Sequence, residues 1–154
     1  MITMKKYELI ESDKRGLYRV KALRDFRDVK VGDVGGYVES ESNLSQEGNA
    51  WVCGDAEVYG NAEVYGNAWV CGNAWVCGNA WVCGDAKVYG DADYIVFKNW
   101  WSSGRYFTWT RSSDKWKVGC FYGTGDELIA KAYKDSEVSG REYERIVKYV
   151  ESIK

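Results

Sequence analysis

The residues that could do chemistry in this 154-residue chain are its cysteines, its tryptophans and its acidic side chains, since the sequence contains no histidine. Cys53, Cys71, Cys77 and Cys83 occupy one fixed position of a repeat, and Cys120 stands apart. Their spacing contains no Cys-x-x-Cys pair, and without histidine no Cys/His metal set can be completed. The cysteines therefore read as corner fillers held as reduced thiols, and no metal or other cofactor is expected. No nucleophile elbow, phosphate-binding loop or zinc signature occurs, and Gly32-Asp33-Val34-Gly35-Gly36 reads as a turn.

The element that positions these residues is a six-residue repeat. It begins at Asn49-Ala50-Trp51-Val52-Cys53-Gly54, passes through three near-identical Asn-Ala-Trp-Val-Cys-Gly units from Asn67 to Gly84, and decays at Asp91-Ala92-Asp93-Tyr94-Ile95-Val96. Alanine and valine, two apart, point to one side of a strand, and the residue between them points to the other. The Gly-[Asn/Asp] pair tolerates positive φ and makes a corner. A chain that turns every six residues closes a triangular coil, so residues eighteen apart stack in successive coils: Cys53 over Cys71, Tyr59 over Cys77 and Tyr65 over Cys83.

The outward slot then carries Trp51, Glu57, Glu63, Trp69, Trp75, Trp81, Lys87 and Asp93. Trp51, Trp69 and Lys87 fall on one face; Glu57, Trp75 and Asp93 on a second; Glu63 and Trp81 on a third. A closed core does not need outward tryptophans, and exposed aromatic patches mark contact surfaces. Three covers are open: the chain's own flanks, further copies in a homo-oligomer, or a partner. Trp51, Trp69, Trp75, Trp81, Glu57, Glu63 and Asp93 are the expected partner-binding residues. Trp100, Trp101, Arg105 and Arg111, with Trp116 beside them, form an aromatic and basic cluster. It would either stack a base and hold a phosphate or simply pack.

Charge divides the chain in three. Residues 1–31 carry nine Lys or Arg against five Asp or Glu, residues 32–96 one against ten, and residues 97–154 eleven against eight. The middle block should prefer basic partners and repel nucleic acid. The start of the chain is too short and polar for a signal peptide, and no apolar run reaches membrane-spanning length, so a cytoplasmic protein away from membranes is expected.

The repeat resembles the hexapeptide repeat of left-handed parallel β-helices, with valine in the aliphatic slot and alanine in the small one. The expected fold is mainly β: a parallel left-handed β-helix, a hexapeptide-type solenoid, over 32–96. An N-terminal β-hairpin segment (1–31) and a small C-terminal β-β-β-α-α cap (97–154) would flank it. Strands are expected over Lys6–Ile10, Leu17–Leu23, Tyr94–Phe97, Arg105–Arg111 and Lys115–Phe121. Helices are expected after capping boxes at Thr124…Glu127 and Ser139…Glu142.

Many such helices are acyltransferases, and that chemistry implies a histidine base, which this sequence lacks. No enzyme is therefore expected. The whole arrangement also resembles proteins commonly predicted in bacteriophage and prophage genomes. The resemblance rests on Tyr18-Arg19-Val20-Lys21-Ala22-Leu23-Arg24-Asp25-Phe26, Gly32 to Glu39, Asn43 to Asn49 and Val118 to Thr124. It implies a phage context in a bacterial host cell. The expectation is a non-enzymatic phage-type inhibitor of a bacterial defence component, anti-CRISPR or other, acting through the acidic, Trp-bearing solenoid and the cap. Its partner would be a host protein, one that itself binds nucleic acid. The alternatives are a sponge for a small signalling nucleotide and a structural or oligomeric scaffold.

Overall fold

The computed structural model describes residues 5–154, so the first four residues of the expected 1–31 segment lie outside it. Strands β1 (Tyr7–Ile10) and β2 (Tyr18–Ala22) form an antiparallel hairpin. Strand β3 (Val34–Val38) runs antiparallel to β2 and parallel to the short strand at Glu57–Val58. Seven two-residue strands follow: β4 (Trp51–Val52), β5 (Glu57–Val58), β6 (Glu63–Val64), β7 (Trp69–Val70), β8 (Trp75–Val76), β9 (Trp81–Val82) and β10 (Lys87–Val88). Each pairs in parallel with the strand eighteen residues along: Trp51 with Trp69, Glu57 with Trp75, Glu63 with Trp81 and Lys87 with Trp69. The alanine and valine of each repeat from Ala50 to Val88 are buried. Each valine taken out of water stabilises the fold by roughly 1.5–3 kcal/mol.

The sheet organisation corrects the expectation of one left-handed solenoid over 32–96. The strands form four small sheets: a mixed five-stranded sheet β1-β2-β3-β5-β8, a parallel β10-β7-β4, a parallel β6-β9, and the antiparallel β11-β12-β13-β14 described below. The reason lies in the repeat itself. A glycine at positive φ, such as Gly54 (63°) or Gly72 (68°), breaks the strand every six residues, so hydrogen bonding extends only along local stacks. At the head of one stack, Gly35 and Gly36 let β3 approach very closely. A Cβ on Gly36 would lie 2.7 Å from the Ala56 carbonyl. The N-terminal hairpin is therefore continuous with repeat strands and is not a separate element.

The C-terminal part contains β11 (Tyr94–Lys98), β12 (Tyr106–Thr110), β13 (Lys115–Val118) and β14 (Phe121–Gly123). Helices α1 (Gly125–Asp135) and α2 (Glu137–Ile153) follow. The cap thus has four strands where three were expected, because Gly119 at φ 55° splits the last expected strand into β13 and β14. Thr124 caps α1 as anticipated: its hydroxyl accepts from the Glu127 N–H while the Glu127 carboxylate accepts from the Thr124 N–H. The start of α2 is corrected from Ser139 to Ser136, whose hydroxyl accepts from the Ser139 N–H. Phe107, Trp109, Trp116, Leu128, Ala132, Tyr143, Val147 and Val150 make a second core, apart from the alanine–valine core of the repeats.

The first strands of the three stacks, and the last strands of two of them, are met by side chains or by strand β3. At the first strands, the Ala50 carbonyl accepts from Lys6 Nζ (2.6 Å), the Ala56 carbonyl from the Tyr37 N–H (2.9 Å), and the Ala62 carbonyl from Asn43 Nδ2 (2.8 Å). At the last strands, the Trp81 N–H donates to Thr108 Oγ1 (3.0 Å) and the Lys87 N–H to Ser112 Oγ (2.7 Å). Edge groups that would otherwise template another chain are thereby satisfied.

Candidate functional site

The outward slots meet three different surroundings. On the first face the N-terminal segment folds over the stack. Trp51 is buried, with Phe26 edge-on at 5.2 Å and Tyr7 at 6.4 Å. Trp69 is half-buried beneath the Arg27 guanidinium, 4.5 Å from its ring centroid, and its Nε1 is buried without a hydrogen-bond partner. Arg27 also donates to the Asn67 carbonyl, and Arg24 to the Gly48 carbonyl. Trp51 and Trp69 therefore belong to the fold's interior and its lining, which corrects their assignment to a partner surface.

On the second face Trp75 is 53% exposed, the most exposed tryptophan of the repeats. It lines an open cleft of about 530 Å³ with Asp13, Lys14, Tyr37, Asp55, Glu57 and Asn73. Glu57 is ion-paired to Lys14 at 3.0 Å, and Asp55 lies 3.8 Å from Arg19. Tyr37 donates from its hydroxyl to Asp13, which holds that carboxyl below the usual range, and Lys14 and Arg19 sit over the Tyr37 ring. Asp93, expected here, instead accepts from the Tyr89 and Gly90 N–H groups (2.8 and 3.1 Å) and caps a turn. Its role in the described structure is local.

The third face carries Glu63 and Trp81 as register partners. A cleft of about 570 Å³ opens over them, lined also by Glu41, Ser42, Leu44, Ser45, Gln46, Tyr65 and Lys117. Lys117 Nζ is 5.8 Å from the Trp81 ring centroid. Burial, with a hydrogen bond to Cys83, pushes the Tyr65 hydroxyl up, and burial raises the Cys83 thiol. Neither group is activated as a nucleophile.

The aromatic and basic cluster of the cap is dispersed. Trp100 is 72% exposed, while Trp101 packs edge-on against Tyr143 at 4.9 Å and donates from Nε1 to Ser139 Oγ. Trp116 is core. Arg111 lies over Trp109 and donates to the Ala92 carbonyl, at the opposite end of β12 from Arg105. Arg105 is exposed and lines two clefts, of about 370 and 270 Å³. The four residues expected to hold one ligand are not brought to one place.

Cys53 and Cys71 are joined by a disulfide with Cα atoms 4.5 Å apart, where thiols were expected; stacking at an eighteen-residue interval brings them together. Cys77, Cys83 and Cys120 are free. Among the described residues no group of three or more Cys, Asp or Glu could hold a metal, and no helix is long and apolar enough to cross a membrane.

Sequence reasoning missed Asp13, Lys14 and Tyr37 at the Trp75 cleft, and Tyr65 and Lys117 at the Trp81 cleft. Tyr65 was legible, since it stacks over Cys83 at the repeat interval. Lys117 was not, because a distant sheet delivers it.

No protein-family model matches the chain. A stretch of 61 residues is 34% identical to an uncharacterised acetyltransferase, YdcK, of Escherichia coli (strain K12), covering 32% of this chain and 19% of that protein. The chain thus spans about a fifth of the length of the curated relative it matches. The likeness is in keeping with a hexapeptide-repeat sequence, and the comparison adds nothing on a bacteriophage setting.

Proposed function

We propose that this chain is a non-enzymatic binding protein whose Trp75 face docks onto a basic, nucleic-acid-binding surface of a bacterial protein, blocking a defence component in the phage setting that the sequence resembles. The observation that carries the reading is the exposure of Trp75 in the middle of an acidic block, with ten Asp or Glu against one Lys over residues 32–96. A large half-exposed aromatic ringed by polar groups is the usual anchor of a protein interface, and acidic surroundings steer a basic partner. Asp13, Asp55 and Glu57 outnumber Lys14 and Arg19 at the cleft, so its local balance is also acidic. The absence of histidine from the sequence supports a role without acyl transfer, despite the name of the partial relative.

The test is capture from bacterial lysate on the immobilised protein, with DNA and RNA as competitors and Asp55→Lys and Glu57→Lys variants alongside. A captured protein that nucleic acid displaces, and that the charge reversals lose, is the expected result. Capture indifferent to competitor and to both reversals contradicts the proposal.

A further inference from the structure

The cleft on the third face holds two opposite charges that do not neutralise each other. Glu63 is exposed, and its carboxylate makes no hydrogen bond or ion pair among the described residues. Lys117 makes no ion pair there either, and its ammonium stands over the Trp81 ring. The other polar groups of the lining are already engaged. Glu41 is paired with Lys5 at 3.1 Å and accepts from Gln46, Gln46 Oε1 accepts from the Lys6 and Tyr7 N–H groups, Ser42 bonds Ser40, and Ser45 accepts from the Glu47 N–H. What remains for a ligand is an indole face, one free carboxylate beside it and one free ammonium.

We infer that this cleft is a guanine-nucleotide site, in which the base displaces the Lys117 ammonium from over the Trp81 ring and stacks there, Glu63 reads its edge, and Lys117 swings to the phosphate. A flat ring on a tryptophan gains from stacking whatever the base. Selection comes from Glu63. An ionised carboxylate is acceptor-only, with two oxygens side by side. The Watson–Crick edge of guanine offers N1–H and N2–H as adjacent donors and satisfies both oxygens. Adenine sets an acceptor, N1, beside its one amino group and leaves one oxygen opposed by a lone pair. The phosphate then reaches Lys117, a point charge suited to it. The volume, about 570 Å³, lies within the range of sites that take such ligands. The site draws its parts from three stretches of chain: the turn over residues 41–46, the β6/β9 stack, and β13. It is separate from the Trp75 face.

Calorimetric titration of the full chain with 5′-GMP, guanosine and 5′-AMP tests the inference. The wild type should bind GMP, with AMP at least about ten-fold weaker. Glu63→Gln, which replaces one acceptor by a donor, should weaken GMP about ten-fold or more and move the preference towards AMP. Lys117→Gln should weaken GMP while leaving guanosine unchanged. Glu63 is exposed and Lys117 makes no ion pair, so the folding of both variants is secure. No binding of GMP or guanosine at millimolar concentration would overturn the site. So would equal affinity for AMP and GMP, or wild-type affinity in Glu63→Gln.

Discussion

Lys6 is fully buried and makes no ion pair among the described residues. Its ammonium donates to the Ala50 carbonyl and, at 3.4 Å, to the Glu47 carbonyl, with the Phe26 ring 5.3 Å away. Burial first, then the Arg24 charge, brings its pKa down to about 8. The unfolded chain therefore holds this proton more tightly than the folded one. Below pH 8 both states carry it and the burial penalty is constant. As pH rises from about 8 towards 10 the folded state sheds the charge first, so stability from this residue increases, by on the order of 2 kcal/mol. Cys83, whose thiol pKa burial raises, opposes this from about pH 9, where its unfolded counterpart ionises, and Tyr7 and Tyr65 do so above pH 10. Denaturant unfolding at pH 7.5, 8.5 and 9.5 should show the wild type gaining stability relative to Lys6→Met as pH rises, with the Cys83 contribution common to both. Parallel profiles would show that Lys6 is not the source. Nothing in the sequence around Lys6 marks it as buried; its burial follows from the hairpin lying across the first repeat strand, a contact forty-four residues away along the chain.

At the scale of elements, the repeat slots were readable because their period is local. Alanine and valine at two-residue spacing could only face one side, and Ala56, Val58, Ala74 and Val76 are all fully buried. Sheet membership was not readable. Strand β3 has an antiparallel neighbour in β2 and a parallel one in β5, and which edges join is decided by a hairpin earlier in the chain. The start of α2 was misplaced by three residues because Ser136 and Ser139 both offer a capping hydroxyl, and Ser136 takes the cap. The closed ends of the stacks were also invisible, since Thr108 and Ser112 are unremarkable residues until β12 is laid against β9. They carry a prediction. Thr108 is buried, and Thr108→Val keeps its shape while leaving the Trp81 N–H without an acceptor. That loss should destabilise the chain by about 1–3 kcal/mol and expose a strand edge to other chains. Chemical denaturation with sedimentation velocity reads both effects. Unchanged stability and an unchanged sedimentation profile would show that the cap hydrogen bond is dispensable.

Across the whole molecule, the flanks resolve the question that the outward tryptophans raised. The N-terminal segment covers Trp51 and lies on Trp69, and the C-terminal sheet approaches Trp81. Trp75 remains largely open. The three-face assignment in the sequence was sound for strand partners except at Asp93, since Trp51, Trp69 and Lys87 do share one stack and Glu57 pairs with Trp75. It failed to rank the faces because covering is done by residues such as Phe26 and Arg27, far from the repeat and without its period. The docking account thus concentrates on one side chain. The most direct measurement is the affinity of the captured bacterial protein for the wild type and for Trp75→Ala, with unfolding midpoints recorded for both. The account predicts a loss of at least about ten-fold in affinity, as for a hot-spot aromatic, with the midpoints equal. Equal affinities in two equally stable proteins would contradict it.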